Sequence, residues 1–369
     1  MTAPINRTAD LPWSARGLDR RAFCRGVGSF AVLGALAACG GGATATIDGS
    51  SSSSVSTGTG TGTAGATSSA DAAADSFPVT VQHKLGTTVV PAAPQRIISV
   101  GLTEQDFVLA LGQVPVAVTD WYGDQPDAIW PWATASLGSA TPPTVLNSAD
   151  GIDYLGVASR KPDLILGLNA GLDAESYARV SQIAPTIGPP LGAANDYFDS
   201  WQSYLQTIAA AMGRSAQGSA LETSIKQSFA QAAAANPQFA GKNVVWLQNA
   251  VSDGNFYAYP QGLGTEFITD LGFQIPDVLD QYVPAEGGQA LIPAERIAVL
   301  DAADYLIWAT ESDADRVALE ALPGFADLAA VKAGRSIYTG AVLSGAMYFA
   351  SPLSLPYVAD NLVPQLAGA

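Results

Sequence analysis

The residues best equipped for recognition chemistry are aromatic. Trp121, Tyr122, Trp130 and Trp132 fall within twelve residues of a segment broken by Gly123, Asp124, Pro126 and Pro131. Glycine and proline work against a regular helix there, so the segment reads as a loop. Large rings in a loop suit a ligand wall or a lobe interface, where they offer area, faces and, in Tyr and Trp, a polar tip. A second aromatic turn, Asn255-Phe256-Tyr257-Ala258-Tyr259-Pro260, adds Tyr257 and Tyr259 as candidates. Trp246 and Trp308 lie inside apolar strand-like runs and are expected in the core. Nucleophilic chemistry has little to draw on. The single histidine, His83, stands beside Lys84 in a hairpin pattern, and no Gly-x-Ser-x-Gly elbow follows the N-terminal segment. The many acids offer carboxylate pairs, none marked out by its setting. One histidine and two cysteines rule out a His-rich metal site and a four-cysteine zinc site. No enzyme, resident metal or cofactor is expected.

Charge divides the chain into unlike parts. The 369 residues carry 17 Lys+Arg against 33 Asp+Glu, a formal charge of −16, with 48% hydrophobic and 14% charged residues. This suits a globular protein and argues against nucleic acid as a partner. Residues 1–38 hold Arg7, Arg16, Arg20, Arg21 and Arg25, then an apolar run over 27–38 too short to span a bilayer. Basic residues, a short apolar stretch and small residues before a cut form an export signal. Leu36-Ala37-Ala38-Cys39-Gly40 resembles a bacterial lipobox, which makes Cys39 the expected lipidation site. Asp19-Arg20-Arg21-Ala22-Phe23-Cys24-Arg25 resembles a twin-arginine export motif. Residues 39–76 then read as the lipidated cysteine and a Gly/Ser/Thr/Ala tether too polar to fold by itself.

From residue 77 onward, short apolar runs alternate with helical patterns. A small hairpin around Gly86 is followed by predicted strands over 96–100, 116–118 and 163–166, with helices after Thr103 and over 174–183. Between about 197 and 236 the pattern is helical only, with Ser215–Ala235 as one long helix. Strands return at 243–247, 305–308 and 336–338, with helices over 265–271 and 294–300. The expected fold is α/β: two Rossmann-like lobes, 77–214 and 237–369, joined by a backbone helix over 215–236.

Several phrases in this order resemble the ferric-siderophore substrate-binding lipoproteins of ABC transporters, of the class III periplasmic-binding-protein family. They are Pro94-Gln95-Arg96-Ile97-Ile98-Ser99-Val100, then Glu104, then Leu111-Gly112 with Val114-Pro115-Val116-Ala117-Val118. Lys161-Pro162-Asp163-Leu164-Ile165-Leu166, Ile183-Ala184-Pro185-Thr186 and Asp304-Tyr305-Leu306-Ile307 complete the set. The resemblance covers roughly 77–369. It implies a monomeric receptor, lipid-anchored at the outer face of the cytoplasmic membrane, that binds a ferric siderophore between its lobes and delivers it to an ABC permease. Relatives of the same fold binding haem or cobalamin, and a cell-envelope interaction protein without transport, are the alternatives. The aromatic residues above become the expected ligand wall, with Arg296 and Arg335 as candidate cations. Glu104 in the first lobe and Glu266 or Asp270 in the second become the expected permease-docking acids. Only twelve basic residues follow residue 38, against 31 acids, a formal charge of −19. That scarcity favours a hydroxamate or mixed siderophore over a highly charged one.

Overall fold

A computed structural model describes residues 75–148, 151–193, 197–285 and 287–369. The expected signal, the lipidation site Cys39 and the tether as far as residue 74 lie outside the described residues. The chain opens with a hairpin of β1 (Val79–His83) and β2 (Gly86–Val90), paired antiparallel with alternate residues buried. This is the period-two pattern of a strand with one covered face. His83 packs inside it. Its Nε2 lies 3.0 Å from Thr88 Oγ1 and 3.2 Å from the Tyr177 hydroxyl, and burial lowers the imidazole pKa.

The first lobe is built on β3 (Ile97–Ser99), α1 (Glu104–Ala110), β4 (Ala117–Thr119), β5 (Thr144–Leu146), α2 (Tyr154–Ser159), β6 (Leu164–Leu166), α3 (Ala174–Ser181) and β7 (Thr186–Ile187). Its strands form one parallel sheet in the order β5-β4-β3-β6-β7. Every residue of β3, β4 and β6 is buried, so these strands appear in the sequence as unbroken apolar runs. α4 (Trp201–Ala211) leads through Gly213, at φ +66°, into α5 (Ser215–Ala235), the 21-residue helix between the lobes. Asp75, expected in the tether, already belongs to the folded body. Its N–H donates to the Gly213 carbonyl (2.9 Å), and its carboxylate accepts from Ser215 N and Oγ (3.2 and 2.5 Å) at the start of α5.

The second lobe comprises β8 (Val244–Ser252), β9 (Asn255–Ala258), α6 (Glu266–Asp270), β10 (Ala290–Pro293), β11 (Tyr305–Ala309), α7 (Asp313–Glu320) and β12 (Ser336–Tyr338). Its sheet runs β10-β9-β8-β11-β12, with β8, β11 and β12 parallel and β9 antiparallel to both neighbours. The aromatic turn expected at 255–260 is therefore largely strand β9. Two helices end the chain: α8 (Gly340–Phe349) packs on β11, while α9 (Ser354–Ala367) packs on α5 and on the helical turn Pro131–Ala133 of the first lobe. The division at residue 237 thus needs correcting at its far end, because the last helix returns across the molecule.

Both lobes open their sheets with one device. The Asp163 carboxylate, just before β6, accepts the backbone N–H groups of Gln95 and Arg96, which lead into neighbouring β3 (2.8 Å each). Asp304, just before β11, accepts the Asn243 N–H, which leads into neighbouring β8 (2.9 Å). Each carboxylate satisfies donors the ladder cannot reach. Asp163→Ala should lower the unfolding free energy by about 1–2 kcal/mol in urea denaturation, the scale of two charge-assisted hydrogen bonds near the surface. An unchanged midpoint would show that water replaces the carboxylate.

Candidate functional site

The carboxy-terminal edges of the parallel strands in both sheets converge on a continuous set of aromatic rings. Trp121 and Tyr122 follow β4 directly, with ring centroids 4.7 Å apart. Trp121 lies 5.0 Å from Phe198, in the loop after β7, and 5.5 Å from Phe349, at the end of α8. Tyr122 reaches Trp130 (5.2 Å) and Tyr348 (6.0 Å), and Trp130 stacks on Trp132 at 4.7 Å and 12°. On the second lobe, Trp246 of β8 stacks on Tyr259 at 3.7 Å and 11°, and lies against Tyr348 at 5.9 Å. Tyr348 and Phe349 thus join the aromatic wall of one lobe to that of the other. Each well-placed ring pair contributes on the order of 1 kcal/mol beyond the area it buries.

Two glycines let the rings meet. A Cβ at Gly123 would lie 2.5 Å from the Trp130 ring. At Gly345 of α8 it would lie 2.7 Å from Trp130 and 2.9 Å from the Tyr122 hydroxyl. Trp130 is therefore wedged, nearly fully buried, between the loop of one lobe and a helix that packs on the sheet of the other.

A buried carboxylate holds this wall in place. Asp106 Oδ2, on α1, accepts from Trp132 Nε1 (2.7 Å) and from Ser351 Oγ (2.5 Å). Ser351 Oγ in turn accepts the N–H groups of Leu353 and Ser354 (3.3 and 3.0 Å) at the start of α9. Burial pushes the Asp106 pKa up to about 6, and the two donors offset part of that rise. Sequence reasoning missed Asp106. Its only signal was an acid on a short helix otherwise rich in apolar side chains.

Glu104 stands otherwise than expected. It is fully buried, with Oε1 accepting from Asn169 N (2.8 Å) and Oε2 from Thr103 N and Ser99 Oγ (3.1 and 3.3 Å). Burial raises its pKa. Its carboxylate ties α1 to the loop after β6 and presents nothing to a docking surface. Glu266 and Asp270 lie on α6 against α5. Glu266 is half-buried, its pKa raised by burial and by Asp270 and Asp199, whereas Asp270 is the more exposed of the two, its pKa raised by partial desolvation with Lys226 offsetting part of the rise. Neither candidate cation joins the aromatic set. Arg335 precedes β12 at the opposite sheet edge, 3.8 Å from Asp304 and over the Tyr305 ring. Arg296 is exposed beyond edge strand β10 and donates to the Tyr282 hydroxyl (3.3 Å). Tyr257 is half-buried within β9, paired with Gln248 and Leu291 across the ladder, while Tyr259 enters the cluster. Among the described residues, no group of three or more His, Cys, Asp or Glu could hold a metal ion, and no helix is long and apolar enough to cross a membrane.

Two α/β lobes on one long helix, with rings gathered where their strand ends face each other, are matched by a known family. The family described as periplasmic binding protein matches residues 97–343. The chain belongs to this family. A periplasmic solute binding protein from Mycobacterium smegmatis is 44% identical, with a TM-score of 0.72 over 79% of this chain and 98% of that one. PiaA of Streptococcus pneumoniae, solved in complex with ferrichrome, shares the fold at 22% identity and a TM-score of 0.68, over 79% of this chain and 98% of that one. The ferric-anguibactin-binding protein FatB of Vibrio anguillarum is 30% identical over 119 residues, 30% of this chain and 31% of that protein. The match therefore spans less than a third of that curated relative.

In a periplasmic binding protein this geometry presents ring faces without basic side chains among them, and Asp106 makes its rigidity sensitive to pH. With its pKa raised above the ordinary carboxylate value, the folded state holds the Asp106 proton more tightly than the unfolded chain does. Its contribution to stability is thus fully present below the ordinary carboxylate pKa and is lost as pH rises through about 6. Asp106→Asn keeps an acceptor oxygen for Trp132 and Ser351 without titrating. The Tm of the variant relative to the parent should therefore rise as pH is taken from about 4 to about 8. A difference that stays flat with pH would show that Asp106 does not titrate in this range.

Proposed function

We propose that this periplasmic binding protein receives a ferric siderophore in the aromatic cleft between its lobes and delivers it to an ABC permease for iron uptake. The observation that carries this reading is the run of ring contacts from Trp121 and Tyr122 through Tyr348 to Trp246 and Tyr259, which spans both lobes. A siderophore complex is bulky and amphipathic, and ring faces supply contact area at little conformational cost. The proteins named above that bind ferric anguibactin or ferrichrome support the same ligand class. The iron arrives wrapped in its chelator and needs no protein ligand. In this reading the protein acts as a monomer at the outer face of the cytoplasmic membrane, held by lipid on Cys39. Asp270 is the docking candidate with an exposed carboxylate.

α5 sets the mechanics. A single helix between the lobes permits small-angle rocking rather than wide hinge closure. Release at the permease then consists of parting Trp130 and Tyr122 from Gly345, which loosens the ring set without unfolding either sheet.

Titration with coloured ferric complexes should quench the intrinsic tryptophan fluorescence, because Trp121, Trp130, Trp132 and Trp246 stand in the cluster. Trp121→Ala and Trp132→Ala should each weaken binding by more than roughly tenfold, the scale of aromatic anchors. Flat titrations with ferric hydroxamates, ferric catecholates, haem and cobalamin would remove the transport reading. Unchanged affinity in both variants would move the ligand away from this loop.

A further inference from the structure

The placement of charge separates the two ends of each sheet. The loops that follow the parallel strands β3, β4, β5, β6, β7, β8, β11 and β12, up to the next regular element, contain no Lys, Arg or His. They do contain acids, among them Asp120, Asp124, Asp199 and Glu311. Several cations lie at the opposite edges, whereas Arg316, in the first turn of α7, stands over the Tyr338 ring at the end of β12 and is paired with Glu320. Arg96 precedes β3 and donates to the carbonyls of Arg160 and Lys161, which precede β6. Lys242 precedes β8 and Arg335 precedes β12, and both lie against Asp304. Arg296, beyond the end of edge strand β10, is held in solvent at Tyr282.

The carboxylates at the cleft end are close enough to sense the rings and one another. Glu311 acts on Tyr122, Asp124 on Asp120, and Asp199 of the first lobe on Glu266 of the second. Asp199 is next to Phe198, whose ring packs on Trp121. The aromatic faces are themselves negative, and they attract cations. Trp246 adds an independent mark of an absent acceptor: it is 1% exposed, it stacks on Tyr259 and Tyr348, and its indole N–H has no partner among the described residues. A neutral donor in a ring-lined cleft suits a carbonyl or hydroxamate oxygen and does not balance a multiply charged anion.

We infer that the cleft selects ferric complexes of zero or positive net charge, namely ferric trihydroxamates with or without a pendant ammonium, and rejects ferric triscatecholates. This rests on the siderophore reading and narrows it. Three hydroxamates lose three protons and neutralise ferric iron, whereas three catecholates lose six and leave a trianion. A cleft lined by one sign of charge focuses its field and penalises a ligand of the same sign.

The test uses three coloured probes read by tryptophan quenching: ferrioxamine B, which carries a pendant ammonium; its N-acetylated form, the same complex without that charge; and ferric enterobactin, a triscatecholate. The cation should bind more tightly than its acetylated form, and the trianion about a hundredfold more weakly than either. Added salt should weaken the cation and strengthen the trianion. Glu311→Gln and Asp120→Asn should each narrow the gap between the cation and its acetylated form, with the proteins' Tm checked to exclude misfolding. Ferric enterobactin binding as tightly as the acetylated trihydroxamate would overturn the charge selection and leave the siderophore reading standing. Binding of none of the ferric complexes would sink both.

Discussion

One oxygen atom, Asp106 Oδ2, fixes the relation between parts of the chain that are far apart in sequence. A carboxylate buried this deeply is tolerated only where donors converge on it. The donors are Trp132, in the aromatic loop, and Ser351, at the turn between the last two helices. Because Ser351 also accepts from the first residues of α9, the start of that helix is set by the same atom. α9 lies along α5, and α8 carries Tyr348 and Phe349 into the cluster. The position of the ring set between the lobes thus follows from a hydrogen-bonding requirement on α1.

Around that node the two lobes repeat a plan and differ in detail. Each has a central parallel strand pair whose entry is held by an aspartate, Asp163 or Asp304. Each sends an aromatic side chain from near a strand end towards the other lobe. The second lobe replaces two crossover units with the antiparallel β9 and β10, which place Tyr259 over Trp246. The two strand-entry aspartates lie at the ends of the sheets remote from the rings, whereas Asp106 lies among them.

Much of the fold was legible because the forces that set it are local. β3, β4 and β6 are covered on both faces and so appear as unbroken apolar runs. α5 is bounded by Gly213 and Pro237, and its expected limits coincide with those observed. The aromatic loop was visible because Pro126 and Pro131 allow its rings only short helical turns. Non-local partners were hidden. Tyr348 and Phe349 sit in an apolar stretch that resembles ordinary core, and only the return of the chain brings them to Trp121. Glu104 has the same local sequence whether its carboxylate faces solvent or caps a neighbouring loop, and Asn169 decides which. Arg296 and Arg335 were candidates by their position in the chain, yet the structure pairs them with Tyr282 and Asp304.

The attachment of Asp75 has a mechanical consequence. α1 starts beside the ring set and runs back along its sheet, so Leu111, whose carbonyl accepts from Arg214, marks the end of the lobe remote from the rings. The chain enters the body at that remote end, through Asp75 on Gly213 and Ser215 and through Phe77 against Gly213. Tension arriving from the amino-terminal side is therefore borne by the root of α5. The line of force bypasses the rings.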